Sequence, residues 1–149
     1  MRTYRRIIVP VDGSPTSNKA LVAALNIARD GDGRLRLIHA LDELAFVTGF
    51  EAGGEVLAAV RAGGARILAE GAEIAKAAGV NFETMLSDKP GQRLGESVAN
   101  AAKVWNADLI VVGTHGRHGI ERVLLGSGAE QIIRLAPVPV LVIRGDEEQ

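Results

Sequence analysis

The sequence predicts an α/β fold in which a parallel five-stranded sheet carries helices on both faces. Short runs of β-branched apolar residues alternate with longer Ala-rich stretches, which is typical of repeated βα units. Two of the runs, Ile7–Val9 and Leu109–Val112, are continuously apolar, so helices should cover both faces of those strands. A length of 149 residues suits one domain, and we expect residues 1–149 to form it, with an acidic tail at 144–149.

The apolar runs predict five strands and their places in the sheet. The predicted strands are Arg5–Val11, Leu35–Ala40, Asn81–Leu86, Leu109–Gly113 and Val138–Ile143. We expect the first and fourth to be central, because they are the continuously apolar ones. The fifth contains Pro139, which cannot donate a ladder hydrogen bond, so this strand should lie at an edge. A bare apolar edge strand would promote aggregation.

The stretches between the strands predict four helices. They are Ser17–Asp30, Glu55–Ala78, Leu94–Trp105 and Ala129–Ala136. Gly31 and Gly79 follow the first two at the position of a C-terminal cap, and the Pro137-Val138-Pro139 segment stops the last. Asp42–Gly54 is either a mobile flap beside the site or an ordinary solvated loop.

Composition excludes several classes of function. Seventeen Lys and Arg against 18 Asp and Glu give a net charge of −1, and aromatic residues make up 3%, so nucleic acid is not an expected partner. The chain has no cysteine, which excludes disulfides and thiolate chemistry. It has no apolar run long enough to span a bilayer, and Ile7–Val11 is too short for a signal peptide. We therefore expect a cytoplasmic protein without a membrane partner.

The segment from Gly113 to Ser127 is the candidate ligand-binding loop. It is long for a βα connection, and it leaves the carboxyl end of a central strand, where ligands bind in open parallel sheets. Gly113 and Gly116 leave room for a phosphate, and Gly126-Ser127-Gly128 opens a helix whose free N–H groups favour anions. Ser127 could cap that helix or donate its hydroxyl to a phosphate. Arg117 and Arg122 against Glu121 leave one excess positive charge, which suits a mononucleotide.

The spacing Gly113-x2-Gly116-x9-Gly126-Ser127 resembles the ATP motif of the nucleotide-binding branch of the universal stress protein family. All four positions match. The resemblance extends to three further segments, which together with the loop reach from the first strand to the last. They are Ile7–Ser14, Ala107–Gly113 and Ala136–Ile143.

The resemblance implies a three-layer, Rossmann-like fold of the adenine nucleotide alpha hydrolase type, with sheet order 3-2-1-4-5. It implies ATP with Mg²⁺ as the ligand, and a homodimer contact through the last strand, Val138–Ile143. Asp12 would bond the ribose hydroxyls, the backbone at Ala40 would meet the adenine, and the loop glycines with Ser127 would hold phosphates. The full set of predicted nucleotide-binding residues is Pro10, Val11, Asp12, Ala40, Gly113, Gly116, Arg117, Gly126, Ser127 and Gly128.

Two positions depart from the family pattern. Gly128 stands where the family often has a β-branched residue, and Ala40 is smaller than the usual valine. Their effect on adenine affinity is open.

Other interpretations of these residues stay open from the sequence. Asp12 is also an ordinary turn residue in Asp-Gly-Ser, and the glycines could only end a strand and begin a helix. His115 and His118 are too few ligands for a zinc site. The resemblance implies a nucleotide-dependent stress-response regulator, and no Walker A or G-x-G-x-x-G pattern is present to favour another class of nucleotide site. Slow ATP hydrolysis, or a stress protein that binds no nucleotide, are the alternatives.

Overall fold

The computed structural model describes residues 3–41, 54–89, 91–114 and 126–145. These residues form five strands and four helices, and every predicted element is present. The strands are β1 Arg6–Pro10, β2 Arg34–Ala40, β3 Asn81–Ser87, β4 Leu109–Gly113 and β5 Val140–Ile143. The helices are α1 Pro15–Gly31, α2 Gly54–Ala78, α3 Leu94–Trp105 and α4 Ser127–Leu135. Gly116, Arg117, both loop histidines and, apart from Gly54, the predicted flap lie outside the described residues.

The sheet is parallel throughout and has the order β3-β2-β1-β4-β5, which confirms the predicted topology. Ile7 of β1 lies opposite Leu35 of β2 on one side and Leu109 of β4 on the other. The two continuously apolar strands are therefore neighbours near the middle of the sheet, as predicted.

Each face of the sheet packs against a pair of helices. In β4, Leu109 and Val111 face the core formed with α1 and α2. Ile110 and Val112 face the second core, formed with α3 and α4. All four side chains are buried, which explains why this strand is apolar at successive positions instead of alternating ones. No helix within the described ranges is both long and apolar enough to cross a membrane.

Two predicted helix starts are wrong by a few residues. The structure begins α1 at Pro15 instead of Ser17, because Ser14 is the N-cap and its Oγ accepts the N–H of Ser17 at 3.1 Å. Proline is favoured at the first helical position, so Ser-Pro was the start signal that the sequence carried. α4 begins at Ser127 with Gly126 as its N-cap, so the predicted opening at Gly126-Ser127-Gly128 is confirmed, while the predicted bound Ala129 is two residues late.

The edge position of β5 is confirmed, although the stated reason is wrong. The strand begins at Val140, so Pro139 lies before it and not within it. The Pro139 carbonyl accepts the N–H of Ile110 at 3.0 Å, a contact for which proline needs no N–H of its own.

Side chains link the strands at the end of the sheet where the strands begin, which we call the amino edge; the opposite end is the carboxyl edge. The Asp108 carboxylate accepts the N–H groups of Arg5 at 2.9 Å and Arg6 at 3.0 Å, which fixes the start of β4 beside the start of β1. Because these bonds tie two strands together, Asp108 has a structural role.

Trp105 is a packing residue at the same edge. Its side chain is only 6% exposed, and its ring lies 4.3 Å from the Arg6 guanidinium carbon and 5.0 Å from that of Arg36. The indole N–H donates to Glu83 at 3.1 Å, and Glu83 also pairs with Arg36 at 2.8 Å. Both guanidinium groups therefore contact one aromatic ring, and Glu83 pairs with Arg36, although Arg36 Nε is buried without a hydrogen-bond partner in the described part of the chain.

Candidate ligand-binding site

A cavity of about 470 Å³ lies at the carboxyl edge of the sheet. It forms where β1 and β4 end side by side, because the chain leaves β1 toward α1 on one face while α4 lies on the other. Diverging connections of this kind open the crevice in which parallel α/β folds bind ligands. Its volume falls in the range of small-molecule sites.

All eight predicted site residues that the structure describes line this cavity together. These are Pro10, Val11, Asp12, Ala40, Gly113, Gly126, Ser127 and Gly128. Residues from the ends of β1, β2 and β4 and from the start of α4 thus meet at one place. Gly116 and Arg117 lie outside the described residues, so their part in the site stays a prediction.

The turn between β1 and α1 holds Asp12 at the cavity wall. Its Oδ1 accepts the N–H of Ser14 at 2.9 Å, and its own N–H donates to Ser17 Oγ at 3.0 Å. Gly13 sits between them with φ +81°, a conformation that L side chains rarely adopt. The turn role considered for Asp12 is therefore present, and the same side chain is exposed at the cavity.

A packing contact also requires glycine at position 113. A Cβ built there would lie 2.7 Å from Thr16 Cγ2 and 2.8 Å from the Thr16 carbonyl oxygen. The space beside Gly113 is thus filled by the first turn of α1, and glycine is needed for that backbone approach. The cavity begins beyond this contact, so the first motif glycine is a packing residue that also lines the site.

The first turn of α4 faces the cavity. Gly126 caps the helix without a side chain, so the predicted alternative in which Ser127 is the N-cap is wrong. Ser127 is the first helical residue, and within the described part of the chain its hydroxyl has no hydrogen-bond partner. The hydroxyl and the free N–H groups of this turn can both donate to an anion.

The start of α3 is fastened to the start of α4. The Gly95 N–H donates to Gln131 Oε1 at 3.1 Å, and a Cβ on Gly95 would clash with Gln131 Cβ. A Cβ on Gly128 would meet Leu94 Cδ2 at 2.6 Å. The end of the exposed Leu94 side chain therefore lies where a larger residue at position 128 would place its Cβ.

The end of β2 forms the remaining wall. The Ile38 carbonyl accepts the N–H of Val11 at 2.8 Å, so the peptide groups of Ile38 point toward β1. Since peptide groups alternate along a strand, those of Ala40 point to the same side, beyond the last residue of β1. This places backbone donors and acceptors at the cavity wall.

Sequence reasoning missed several lining residues, of which His39, Thr114 and Arg93 matter most. His39 Nδ1 lies 2.7 Å from the Val11 carbonyl, and Thr114 Oγ1 accepts the N–H of Gly145 at 3.3 Å, so both side chains hold neighbouring segments. Arg93 precedes α3 and follows β3. Its position after a strand's carboxyl end was the signal that could have identified it.

The charges at the cavity are few. Among the described lining residues, Asp12 is the only carboxylate and Arg93 the only arginine or lysine. In the same ranges, no group of three or more His, Asp or Glu side chains could hold a metal ion. The helix N-termini of α1, α3 and α4 add partial positive charge, which favours a ligand that carries its own negative charge.

An open parallel sheet with a glycine-lined cavity at its switch point defines the class of Rossmann-like α/β proteins. Within that class, the chain belongs to the universal stress protein family, whose sequence model matches residues 3–144. It is 36% identical to a universal stress protein of Methanocaldococcus jannaschii over 98% of this chain and 85% of that protein.

Solved structures show the same fold. The universal stress protein UspA of Lactobacillus plantarum superposes with a TM-score of 0.80, at 27% identity, over 97% of this chain and all of that one. A universal stress protein solved in complex with cAMP has a TM-score of 0.67, at 25% identity, and covers 95% of this chain and 98% of its own.

Proposed function

We propose that this protein binds ATP, carried with Mg²⁺, and acts as a nucleotide-dependent regulator in stress responses. One observation carries the proposal: Asp12, the end of β2 and the first turn of α4 line a single cavity at the carboxyl edge of the sheet. A nucleotide needs acceptors for ribose hydroxyls, polar backbone for the base and donors for phosphate. These three requirements match the three walls.

The walls suggest an orientation for the nucleotide. Asp12 uses one carboxylate oxygen in its turn, so the other can accept ribose hydroxyls. The outward peptide groups at Ala40 suit the edge of a base, while Ser127 and the start of α4 suit phosphates. The relative solved with cAMP supports an adenine nucleotide as the ligand class.

Magnesium would enter with the phosphates. Because Asp12 is the only carboxylate among the described lining residues, the protein offers few ligands of its own, and Mg²⁺ tolerates this by keeping phosphate oxygens and waters. The described cavity also lacks a lysine to accompany a base at the phosphates. We therefore favour regulation over efficient phosphoryl transfer.

The first experiment measures binding directly. Denature the purified protein, identify any released nucleotide, and titrate the stripped protein with ATP and Mg²⁺ by calorimetry. We expect saturable binding. Absence of both released nucleotide and binding heat at millimolar ATP would reject the proposal, and turnover of labelled ATP above about 1 s⁻¹ would favour an enzyme instead.

We also propose that β5 forms a homodimer contact. Within the described residues, β5 pairs only with β4, and Leu141 on it is 37% exposed. Pro139 and Ile143 direct their carbonyls to β4, so by alternation the N–H of Val142 points outward.

This geometry gives a sharp test of the dimer. Val142→Pro removes an outward donor without touching the β4 ladder, so it should give a monomer of retained fold. Analytical ultracentrifugation of the wild-type and variant proteins measures the change. A wild-type monomer, or a variant that stays dimeric, would contradict the contact. A cytoplasmic location and the absence of nucleic-acid and membrane partners stay predictions from the sequence.

A further inference from the structure

We propose that Arg93 is a phosphate-binding residue of this site, acting from the start of α3 on the phosphates held at the start of α4. The inference rests on the proposed nucleotide function and assigns a contact that lies outside the glycine motif. It concerns the phosphates only, so adenosine, which lacks them, separates the two proposals.

The position of Arg93 follows from the packing of two helices. Leu94, the next residue, occupies the space beside Gly128 in the first turn of α4. Gly95 is bound to Gln131 one turn further along the same helix. These contacts hold the beginnings of α3 and α4 side by side, so Arg93 lies next to the turn that carries Ser127, and both residues line the cavity.

The backbone of Arg93 makes hydrogen bonds that support the start of α3, while its side chain makes none within the described residues. Its N–H donates to Glu96 Oε1 at 2.9 Å, and its carbonyl accepts the N–H of Ser97 at 2.9 Å. Any residue with a normal peptide group could make these bonds. Within the described ranges the guanidinium has no ion pair or hydrogen bond, in contrast to Arg36 and Arg134, which pair with Glu83 and Glu130.

The charge of Arg93 fits a phosphate better than any other part of a nucleotide. It is the only cation of the lysine or arginine type among the described lining residues, and it adds a full charge beside a helix N-terminus that already favours anions. A guanidinium can also bond a phosphate through two parallel N–H groups. Arg93 should therefore contribute more to the affinity of a ligand that carries more phosphates.

The test compares three ligands on matched variants. Titrate ATP, AMP and adenosine into the wild-type protein, Arg93→Gln and Arg134→Gln, the last being an arginine of α4 outside the cavity. Arg93→Gln should weaken ATP binding about tenfold or more, weaken AMP less, and leave adenosine within about twofold. Arg134→Gln, with the same change of charge, should leave all three affinities unchanged. Arg93→Lys should recover part of the ATP affinity.

Several results would overturn the inference. Equal losses for ATP and adenosine in Arg93→Gln would mean that the residue only supports the fold of the site. An unchanged ATP affinity would mean that it makes no contact. If Arg93→Gln does not fold, the folded variant Arg93→Lys is measured instead. If Arg93→Lys binds ATP no more tightly than adenosine, a phosphate contact is contradicted. A wild-type protein that binds adenosine but gains nothing from phosphates would defeat this inference alone, whereas one that binds none of the ligands would defeat the proposed function as well.

Discussion

The two edges of the sheet use the same residue types in opposite ways. At the amino edge, the Asp108 carboxylate binds two backbone N–H groups, and Arg36 pairs with Glu83 beside the buried ring of Trp105. At the carboxyl edge, Asp12 and Arg93 line a cavity. Charges that are satisfied within the protein stabilise it, while charges left at a cavity are available to a ligand. Substitutions at the amino edge should therefore lower stability, whereas substitutions at the carboxyl edge should lower ligand affinity.

The largest expected effect is at the amino edge. Trp105→Ala removes a buried indole and should lower the free energy of unfolding by about 3 to 5 kcal/mol. Because Trp105 is the only tryptophan, urea unfolding is best followed by circular dichroism. Trp105→Phe, which keeps an aromatic ring, should lose less. If folded Trp105→Ala also lost ATP affinity by more than about twofold, the two edges would be coupled, since a purely local loss leaves binding intact.

The second effect is a loss of stability at the carboxyl edge, where the comparison of the two edges predicts mainly losses of binding. In Gly113→Ala the new methyl group meets the Thr16 carbonyl, so the free energy of unfolding should fall by about 1 to 3 kcal/mol. The matched control is Gly63→Ala in α2, where the nearest atom is Arg66 Nη2 at 3.9 Å and the same change should stabilise the helix by up to about 1 kcal/mol. Denaturant unfolding measures both. A neutral Gly113→Ala would show that α1 can move away.

The smallest effects come from the same substitution, aspartate to asparagine, made once at each edge. Asp12→Asn keeps an oxygen that can accept the Ser14 N–H, so its free energy of unfolding should stay within about 0.5 kcal/mol of the wild-type value. Its ATP affinity should fall about tenfold, because an amide oxygen accepts ribose hydroxyls more weakly than a carboxylate does. Asp108→Asn loses one of two backbone contacts, so it should lose about 1 to 2 kcal/mol of stability and no affinity. Calorimetric titration and urea unfolding of both proteins give the four values. The reverse pattern would remove the distinction between the edges.

Much of the fold was predictable because its signals are local. The apolar runs placed all five strands, and β4 has the predicted bounds. The sheet order came from the family resemblance and not from the runs themselves. The start of α1 was missed although the Ser14-Pro15 signal was present, and Val138 and Pro139 were assigned to β5 although the strand begins after them.

The candidate site was predictable in outline. The motif spacing led to Gly113, Gly126 and Ser127, and the strand-end rule led to Asp12, all of which line the cavity. The reason for Gly113 could not be predicted, because it depends on Thr16, a residue far away in sequence. Arg93 could have been found from its position after the carboxyl end of β3, but its nearness to the start of α4 depends on the packing of Leu94 beside Gly128.

The sequence by itself determined which segments become strands and helices, and which strands are covered on both faces. Those properties depend on the period of apolar residues and on turn and cap residues within a few positions. Only the tertiary structure decided which carboxylates are used up and which are exposed at a cavity, and which glycines serve packing. The physical reason is that such roles are set by contacts between segments distant in the chain, and the residues of one segment carry no record of what will pack against them.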